Sequence, residues 1–211
     1  MKRTLLSVTT LSLLAVFMTG CSEEAAPKKK AAKAPPAPVT AQSAMVYMFQ
    51  VARAWTPDCE ILKLENGDIP EAKAEAGKYG LWRATFVSQS KRVKRDFYYA
   101  ADNSDGGIIK GVRAGADSAY ARRAQIHPFA IGEIKVDSPA ALKTALEQVE
   151  KDKDMKKVLA ENKDLPVQFL LEWTGNNPKP QWRVIFGASV SASKFSIFID
   201  ANSGKFVKKQ G

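Results

Sequence analysis

The side chains that most often perform chemistry are scarce in this chain of 211 residues, which has one histidine, His127, and two cysteines, Cys21 and Cys59. A zinc site of the usual type needs several histidine or cysteine ligands, so the sequence predicts neither a metal site nor a cofactor. A nucleophilic cysteine needs a basic or cationic neighbour, and no histidine lies near Cys59 in the sequence. We therefore expect Cys59 to be a small core residue and His127 to be a structural or surface residue.

The densest run of charge is Lys91-Arg92-Val93-Lys94-Arg95, at the tip of a predicted β-hairpin in a chain with a formal net charge of +10. Lys91, Arg92, Lys94 and Arg95 could contact an anionic envelope polymer, lipid headgroups or an acidic protein. The alternative, which we favour, is a solubilising tip that protects the hairpin edges from aggregation. Since no nucleic-acid-binding motif accompanies the charge, we expect no nucleic-acid partner.

Cys21 follows a basic start, Lys2 and Arg3, and an apolar run from Leu5 to Phe17. The run has about 13 residues, fewer than the roughly 20 of a membrane-spanning helix and within the range of a signal peptide. With the junction Met18-Thr19-Gly20-Cys21, the segment resembles a bacterial lipoprotein signal. The alternative is an ordinary secretory signal with an incidental cysteine.

The resemblance implies that residues 1–20 are removed and that Cys21 becomes the acylated N-terminus of the mature protein. Several acyl chains make such an anchor effectively permanent, so the membrane is the first expected partner. Ser22, in place of an aspartate, favours the outer membrane over the inner membrane. The expected location is the periplasmic face of the outer membrane.

Residues 21–41 are predicted to form a tether between this anchor and the rest of the chain. The segment is rich in proline, alanine and lysine and has no aromatic residue, so it cannot bury enough surface to offset its ordering entropy. At about 3.1 Å per residue, a tether of this length could reach roughly 60 Å from the bilayer.

The remaining chain contains a short internal repeat of aromatic, alternating segments. The segment Trp82-Arg83-Ala84-Thr85-Phe86 recurs as Trp182-Arg183-Val184-Ile185-Phe186, and Phe97-Tyr98-Tyr99-Ala100-Ala101-Asp102 recurs as Phe195-Ser196-Ile197-Phe198-Ile199-Asp200. Apolar residues at every second position, joined by polar turns, predict antiparallel hairpins.

A helical pattern precedes the strands in each half, from Ser43 to Trp55 and from Ser138, a predicted N-cap, onward. The order of helix, strand, hairpin and final strand therefore occurs twice. We predict an α+β fold with two related units over residues 42–113 and 138–211, linked by a connecting segment over residues 114–137. Each unit is expected to pack a helix across an antiparallel sheet of about three to four strands.

The second half resembles a PepSY-type domain through Gln181 to Phe186 and through Asp200-Ala201-Asn202-Ser203-Gly204. The first half matches this pattern less well, since Asp102 to Gly106 lacks the alanine. The resemblance implies a PepSY/cystatin-like module of exported bacterial proteins, a class that includes peptidase-associated and envelope-sensing modules. It implies no catalytic residue.

Two functions of different classes remain open from the sequence. The favoured one is a non-catalytic envelope lipoprotein that faces the periplasm and binds a protein or a peptide. Trp82 and Trp182 could anchor such a ligand, although we expect both in the core. The alternative is an envelope enzyme of unrecognised type, with His127, Cys59 and carboxylates from both halves at a site between them.

Overall fold

The structure, a computed structural model, describes residues 36–175 and 177–211. The predicted signal peptide, the lipidation site Cys21 and the tether up to residue 35 lie outside these residues. The described residues form three α-helices, ten β-strands and one short 3₁₀ helix at Ile131–Glu133. In chain order the helices and strands are α1 Ala41–Trp55, β1 Glu60–Gly67, β2 Leu81–Ser88, β3 Val93–Ala100, β4 Gly111–Ala114, β5 Ser118–Ala119, β6 Ile126–His127, α2 Ser138–Lys151, α3 Lys153–Glu161, β7 Val167–Thr174, β8 Gln181–Gly187, β9 Ser193–Asp200 and β10 Phe206–Gln210.

The ten strands form one antiparallel sheet, in the order β10-β9-β8-β7-β1-β2-β3-β4, with β5 beside β3 and β6 beside β7. The predicted α+β class is confirmed. The sheet differs from the prediction, because the two halves join through β1 and β7 instead of forming two sheets. Three residue pairs make this junction, from Lys63 opposite Glu172 to Glu65 opposite Leu170. Pairing satisfies backbone groups of two strands that carry the buried side chains Leu64 and Leu171.

Both long helices lie on the same face of the sheet, α1 over β2 and β3 and α2 over β8 and β9. Between the helices and the sheet, Tyr79, Trp82, Phe169 and Trp182 form one aromatic cluster with edge-to-face and tilted ring contacts. Trp82 and Trp182 are fully buried, so they are core residues and not surface anchors for a ligand. Because this cluster contains residues of both halves, the halves share one hydrophobic core.

The two tryptophans make equivalent hydrogen bonds. Trp82 Nε1 donates to the Val39 carbonyl at 3.0 Å, and Trp182 Nε1 donates to the Val136 carbonyl at 2.8 Å. Each of these carbonyls belongs to the residue before a helix N-cap, Thr40 for α1 and Asp137 for α2. In both halves, therefore, the same bond fixes a strand, β2 or β8, to the start of the helix.

The strand register corrects the repeat alignment made from the sequence. Trp82 lies opposite Tyr99, and Trp182 lies opposite Ile199, so both strands of the hairpins are related by the same spacing of 100 residues. Asp102 and Asp200, which the sequence comparison matched, are 98 residues apart and are therefore two residues out of register with this spacing. An even shift keeps each side chain on its predicted face, which is why the alternating pattern did not reveal it.

The start of α2 also differs from its prediction. Asp137, and not Ser138, is the N-cap, because the Asp137 carboxylate accepts a hydrogen bond from the Ser138 amide at 2.7 Å. The same carboxylate accepts from the Gln42 amide at 2.9 Å, and the Ser138 hydroxyl accepts from the Ala41 amide at 3.0 Å. Asp137 and Ser138, at the start of α2, thus help to cap α1. Within the part of the chain that the structure describes, no helix is long and apolar enough to cross a membrane.

Candidate functional site

The four basic residues of the β2–β3 hairpin do not form one surface patch. Lys91 and Arg92 lie in the turn, where Arg92 has a φ of 55°. Lys94 and Arg95 are consecutive residues of β3, so their side chains point to opposite faces of the sheet. The proposed contact with an anionic partner would therefore have to use two different surfaces.

Arg95 and Lys91 both contact Trp55 at the end of α1, and Arg95 also binds Asp117. The Arg95 Nε donates to Asp117 at 2.7 Å, and its guanidinium lies 5.0 Å from the ring centroid of Trp55. The Lys91 ammonium donates to the Trp55 carbonyl at 3.2 Å. These contacts give both side chains a structural role in the tip.

Asp58 organises the same hairpin tip from outside the sequence run. Its carboxylate accepts hydrogen bonds from the Thr56 hydroxyl at 2.6 Å, the Ser88 hydroxyl at 2.8 Å and the Ser90 amide at 3.1 Å. Hydrogen bonds from Thr56 and Ser90 hold the pKa of Asp58 well below its ordinary range. Asp58 therefore provides a structural network of hydrogen bonds beside the basic turn.

His127 packs against neighbouring residues of the sheet, and Cys59 lies in the core. His127 in β6 contacts β7, with Nε2 at 3.2 Å from the Gly175 carbonyl and its ring 5.3 Å from that of Trp173. Cys59 is buried, and burial raises the pKa of its thiol, which opposes thiolate formation. Among residues 36–175 and 177–211, no group of three or more histidine, cysteine or acidic residues is placed to hold a metal ion.

A polar cavity of about 480 Å³ lies on the face of the sheet that the helices leave uncovered, and we call it the sheet-face cavity. One row of its lining crosses four neighbouring strands, from Glu172 on β7 through Lys63 and Thr85 to Asp96 on β3. Its complete lining is Leu62, Lys63, Arg83, Thr85, Lys94, Asp96, Tyr98, Gly115, Ala116, Ser118, Ile126 and Glu172.

A β-bulge shapes the floor of the sheet-face cavity. In β1 the register shifts between Ile61 and Lys63, so that Leu62 is an extra residue relative to β2. Ile61 points into the core, whereas Leu62 and Lys63 both line the cavity. The bulge therefore places two consecutive side chains on the uncovered face, which regular alternation would not allow.

Part of the charge in and around the sheet-face cavity is already paired. Glu65 forms ion pairs with Lys63, at 2.8 Å, and with Arg83. The Thr85 hydroxyl donates to Asp96 at 2.5 Å. Burial, with Arg83 nearby, lowers the pKa of Lys63.

Glu172 stands apart from these pairs. Burial raises its pKa, and the positive charges of Lys63 and Arg183 act against that rise. Within the described residues, its carboxylate has no hydrogen bond and no ion pair shorter than 4.0 Å. It is a partly buried acceptor at one end of the row.

A second cavity, of about 310 Å³, adjoins the first beneath the connecting segment. The two cavities share Leu62, Lys94 and Ile126, and the second is also lined by Tyr120 and Arg123. The Tyr120 hydroxyl is buried, and it has no hydrogen-bond partner among the residues described. A buried hydroxyl usually has a hydrogen-bond partner, and here a water molecule or a ligand could supply it.

The helix side of the molecule offers a different kind of surface. A shallower groove of about 810 Å³ runs beside α2, where Leu142 and Leu146 provide an apolar lining. The charged residues at its rim, such as Lys143 and Glu147, belong to the exposed face of the helix. The sheet-face cavity is the better candidate, because it combines convergent charged groups with partial burial.

Part of the sheet-face cavity followed from the sequence pattern. The alternation that places Trp82, Ala84 and Phe86 in the core places Arg83 and Thr85 on the other face. Sequence reasoning missed the contribution of Glu172, because that residue reaches the row only through the junction of β1 and β7. It also missed the role of the connecting segment, which closes the cavity with Gly115, Ala116 and Ser118.

No protein-family model matches the chain, and no curated protein matches it. A solved structure described as a candidate lipoprotein from Clostridium difficile 630 is similar, with a TM-score of 0.43 and 10% sequence identity. The similarity covers 84% of this chain and 95% of that chain. At this TM-score and identity, the likeness establishes neither a shared function nor a shared location.

Proposed function

We propose that this chain is a lipid-anchored protein of the bacterial cell envelope whose folded part is a non-catalytic module that binds a protein or a peptide. The observation that carries the binding function is the sheet-face cavity. Its lining offers cations, carboxylates and the aromatic ring of Tyr98, and it contains no histidine or cysteine. Opposite charges beside an aromatic ring suit recognition of a polar ligand.

The anchor and the location in this proposal rest on the sequence around Cys21. A basic start, a short apolar run and the junction before Cys21 support lipidation at that residue. The tether that follows would hold the folded part in the periplasm, where its ligand would be found. We assign the outer membrane, on its periplasmic face, because Ser22 follows the cysteine.

We further propose that the two halves are tandem PepSY-like repeats. The equivalent hydrogen bonds of Trp82 and Trp182 support this relationship, as does the common strand register of the two hairpins. In this proposal the repeats have diverged in their uncovered faces. The first half supplies most of the polar cavity, whereas the second half buries Ile185 and Phe198 on that face.

A photo-crosslinking amino acid at Ser118 would test the binding function in intact cells. Ser118 is exposed and lines the sheet-face cavity, so we expect irradiation to attach an envelope peptide or protein to it. The matched control is the same amino acid at Lys157, whose side chain is 75% exposed on α3. The proposal would be overturned by the absence of adducts at Ser118, or by the same adducts at both positions.

A further inference from the structure

We propose that the sheet-face cavity, together with the second cavity that adjoins it, binds a short peptide with free termini, its ammonium group at Glu172 and its carboxylate between Lys94 and Arg123. This inference rests on the proposed binding function and specifies the ligand's chemistry and direction. It is carried by three features of the cavity: an unpaired cationic end, an unpaired anionic end and the distance between them.

The cationic end lies where the two cavities meet. Lys94 is partly buried and lines both of them, and Arg123 lines the second. In the described part of the chain, neither side chain has an acidic partner within 4.0 Å. A ligand carboxylate placed here would accept charge-assisted hydrogen bonds from both and would compensate the partial burial of Lys94. The unpartnered hydroxyl of Tyr120 lies beside the same end.

The anionic end is Glu172. Its cross-strand neighbour Lys63 already pairs with Glu65 at 2.8 Å, so the Glu172 carboxylate keeps its acceptor capacity. A carboxylate accepts several hydrogen bonds, and an ammonium group donates three. A ligand ammonium would therefore satisfy Glu172 without displacing an existing ion pair.

The separation of the two ends sets the length of the ligand. Glu172 and Asp96 occupy the same row on β7 and β3, which are three strand spacings apart. At about 4.8 Å per spacing the row spans about 14 Å, and Lys94 lies two residues, about 7 Å, further along β3. The two ends are therefore about 16 Å apart at the backbone, and the long side chains of Glu172 and Lys94 shorten the gap that the ligand must span. An extended peptide covers about 3.3–3.6 Å per residue, so a peptide of about four residues bridges the ends. A phospholipid headgroup, whose two charges are only a few bonds apart, cannot reach both.

The experiment uses the purified full chain in detergent and four pools of random tetrapeptides, measured by isothermal titration calorimetry. One pool has free termini, one is N-acetylated, one is C-amidated, and one is capped at both ends. We expect the free pool to bind, and each single cap to weaken binding at least about tenfold. Because this comparison uses the unmodified protein, it does not depend on the folding of any variant.

Two substitutions assign the ends of the ligand. Glu172→Gln should remove the discrimination between free and N-acetylated peptides while keeping that between free and amidated ones. Lys94→Gln should remove the discrimination between free and C-amidated peptides while keeping that between free and N-acetylated ones. The matched controls, Glu161→Gln and Lys157→Gln, alter an exposed ion pair of α3 at 3.9 Å and should discriminate like the unmodified protein.

Equal binding of free and doubly capped pools, or no binding of any pool, would overturn the inference. Competition by phosphoethanolamine at the same site would also overturn it and would point to a headgroup. Adducts at Ser118 in cells together with equal binding of all pools would leave the proposed binding function intact and reject only this ligand. If Ser118 gives no adducts in cells and no peptide pool binds, the proposed binding function is rejected as well.

Discussion

At the scale of single residues, the folded protein perturbs two carboxylates in opposite directions. Asp58 accepts hydrogen bonds from three residues at the hairpin tip, and these bonds hold its pKa low. Glu172 lies partly buried without such bonds, and burial raises its pKa. The same type of group therefore stabilises the fold at one position and is available for a ligand at the other.

The replacement Glu172→Gln should make the protein more stable at neutral pH. Folding raises the pKa of Glu172 above its ordinary value of 4.5, because burial disfavours the charged carboxylate. The stability that neutral Glu172 contributes at low pH is therefore lost as the pH rises through the folded-state pKa. Glutamine has the same shape but no charge to bury. Thermal unfolding should show a higher midpoint for the variant at pH 7 and equal midpoints near pH 4.

The control for this prediction is Glu161→Gln, at an exposed position of α3, which should change neither midpoint. A lower midpoint for Glu172→Gln at pH 7 would show that attraction by Lys63 and Arg183 outweighs the cost of burial.

At the scale of secondary-structure elements, the decisive contact is the junction of β1 and β7. Only three residue pairs join these strands before they diverge. Asn66 extends the junction, because its Oδ1 accepts from the Phe169 amide at 2.6 Å and its Nδ2 donates to the Gln168 side chain at 2.8 Å. A side chain thus takes the place of the next backbone pair.

The replacement Asn66→Ala should lower the free energy of unfolding by about 1–2 kcal/mol, because the Phe169 amide is left without its acceptor. Chemical denaturation measures this change. Gln210→Ala, in the exposed edge strand β10, is the control and should change stability by less than about 0.5 kcal/mol. Equal effects of the two replacements would show that the junction does not depend on Asn66.

At the scale of the whole molecule, the shared core makes the two halves one cooperative structure. Phe169 from the second half contacts Trp82 of the first half and Trp182 of its own half. The caps of α1 add further bonds between the halves. Neither half can keep these contacts alone.

The chain should therefore unfold in a single transition. Because each half has two of the four tryptophans, fluorescence reports on both halves, and it should give the same midpoint in a urea titration as far-ultraviolet circular dichroism. Two separate transitions would show that the junction of β1 and β7 is weaker than the packing within each half.

Anchoring is also a property of the whole molecule. Lipidation at Cys21 would place the protein in the membrane fraction, and Cys21→Ala should move it to the soluble periplasmic fraction. Cys59→Ala is the matched control, since Cys59 is buried and should not affect fractionation. A Cys21→Ala protein that stays in the membrane fraction would contradict the lipoprotein proposal.

Local order was predictable from the sequence. The period-2 pattern around Trp82, Trp182 and Phe97 indicated hairpins and their buried faces, and the helical spacing indicated α1 and α2. These features depend on backbone geometry within a few residues, so the pattern alone determines them. The lipoprotein-like signal at Cys21 is local in the same sense.

The tertiary structure decided the contacts between distant segments. It joined β1 to β7 in a single sheet, gave Ser138 a role at α1, and brought Glu172 into line with Lys63. Such pairings depend on which strand edges and polar groups need a partner after folding, and no local pattern records that requirement. The sequence pattern alone therefore determined which side chains of β2 and β3 face away from the core, and only the fold, with its bulge in β1, assembled some of them into the sheet-face cavity.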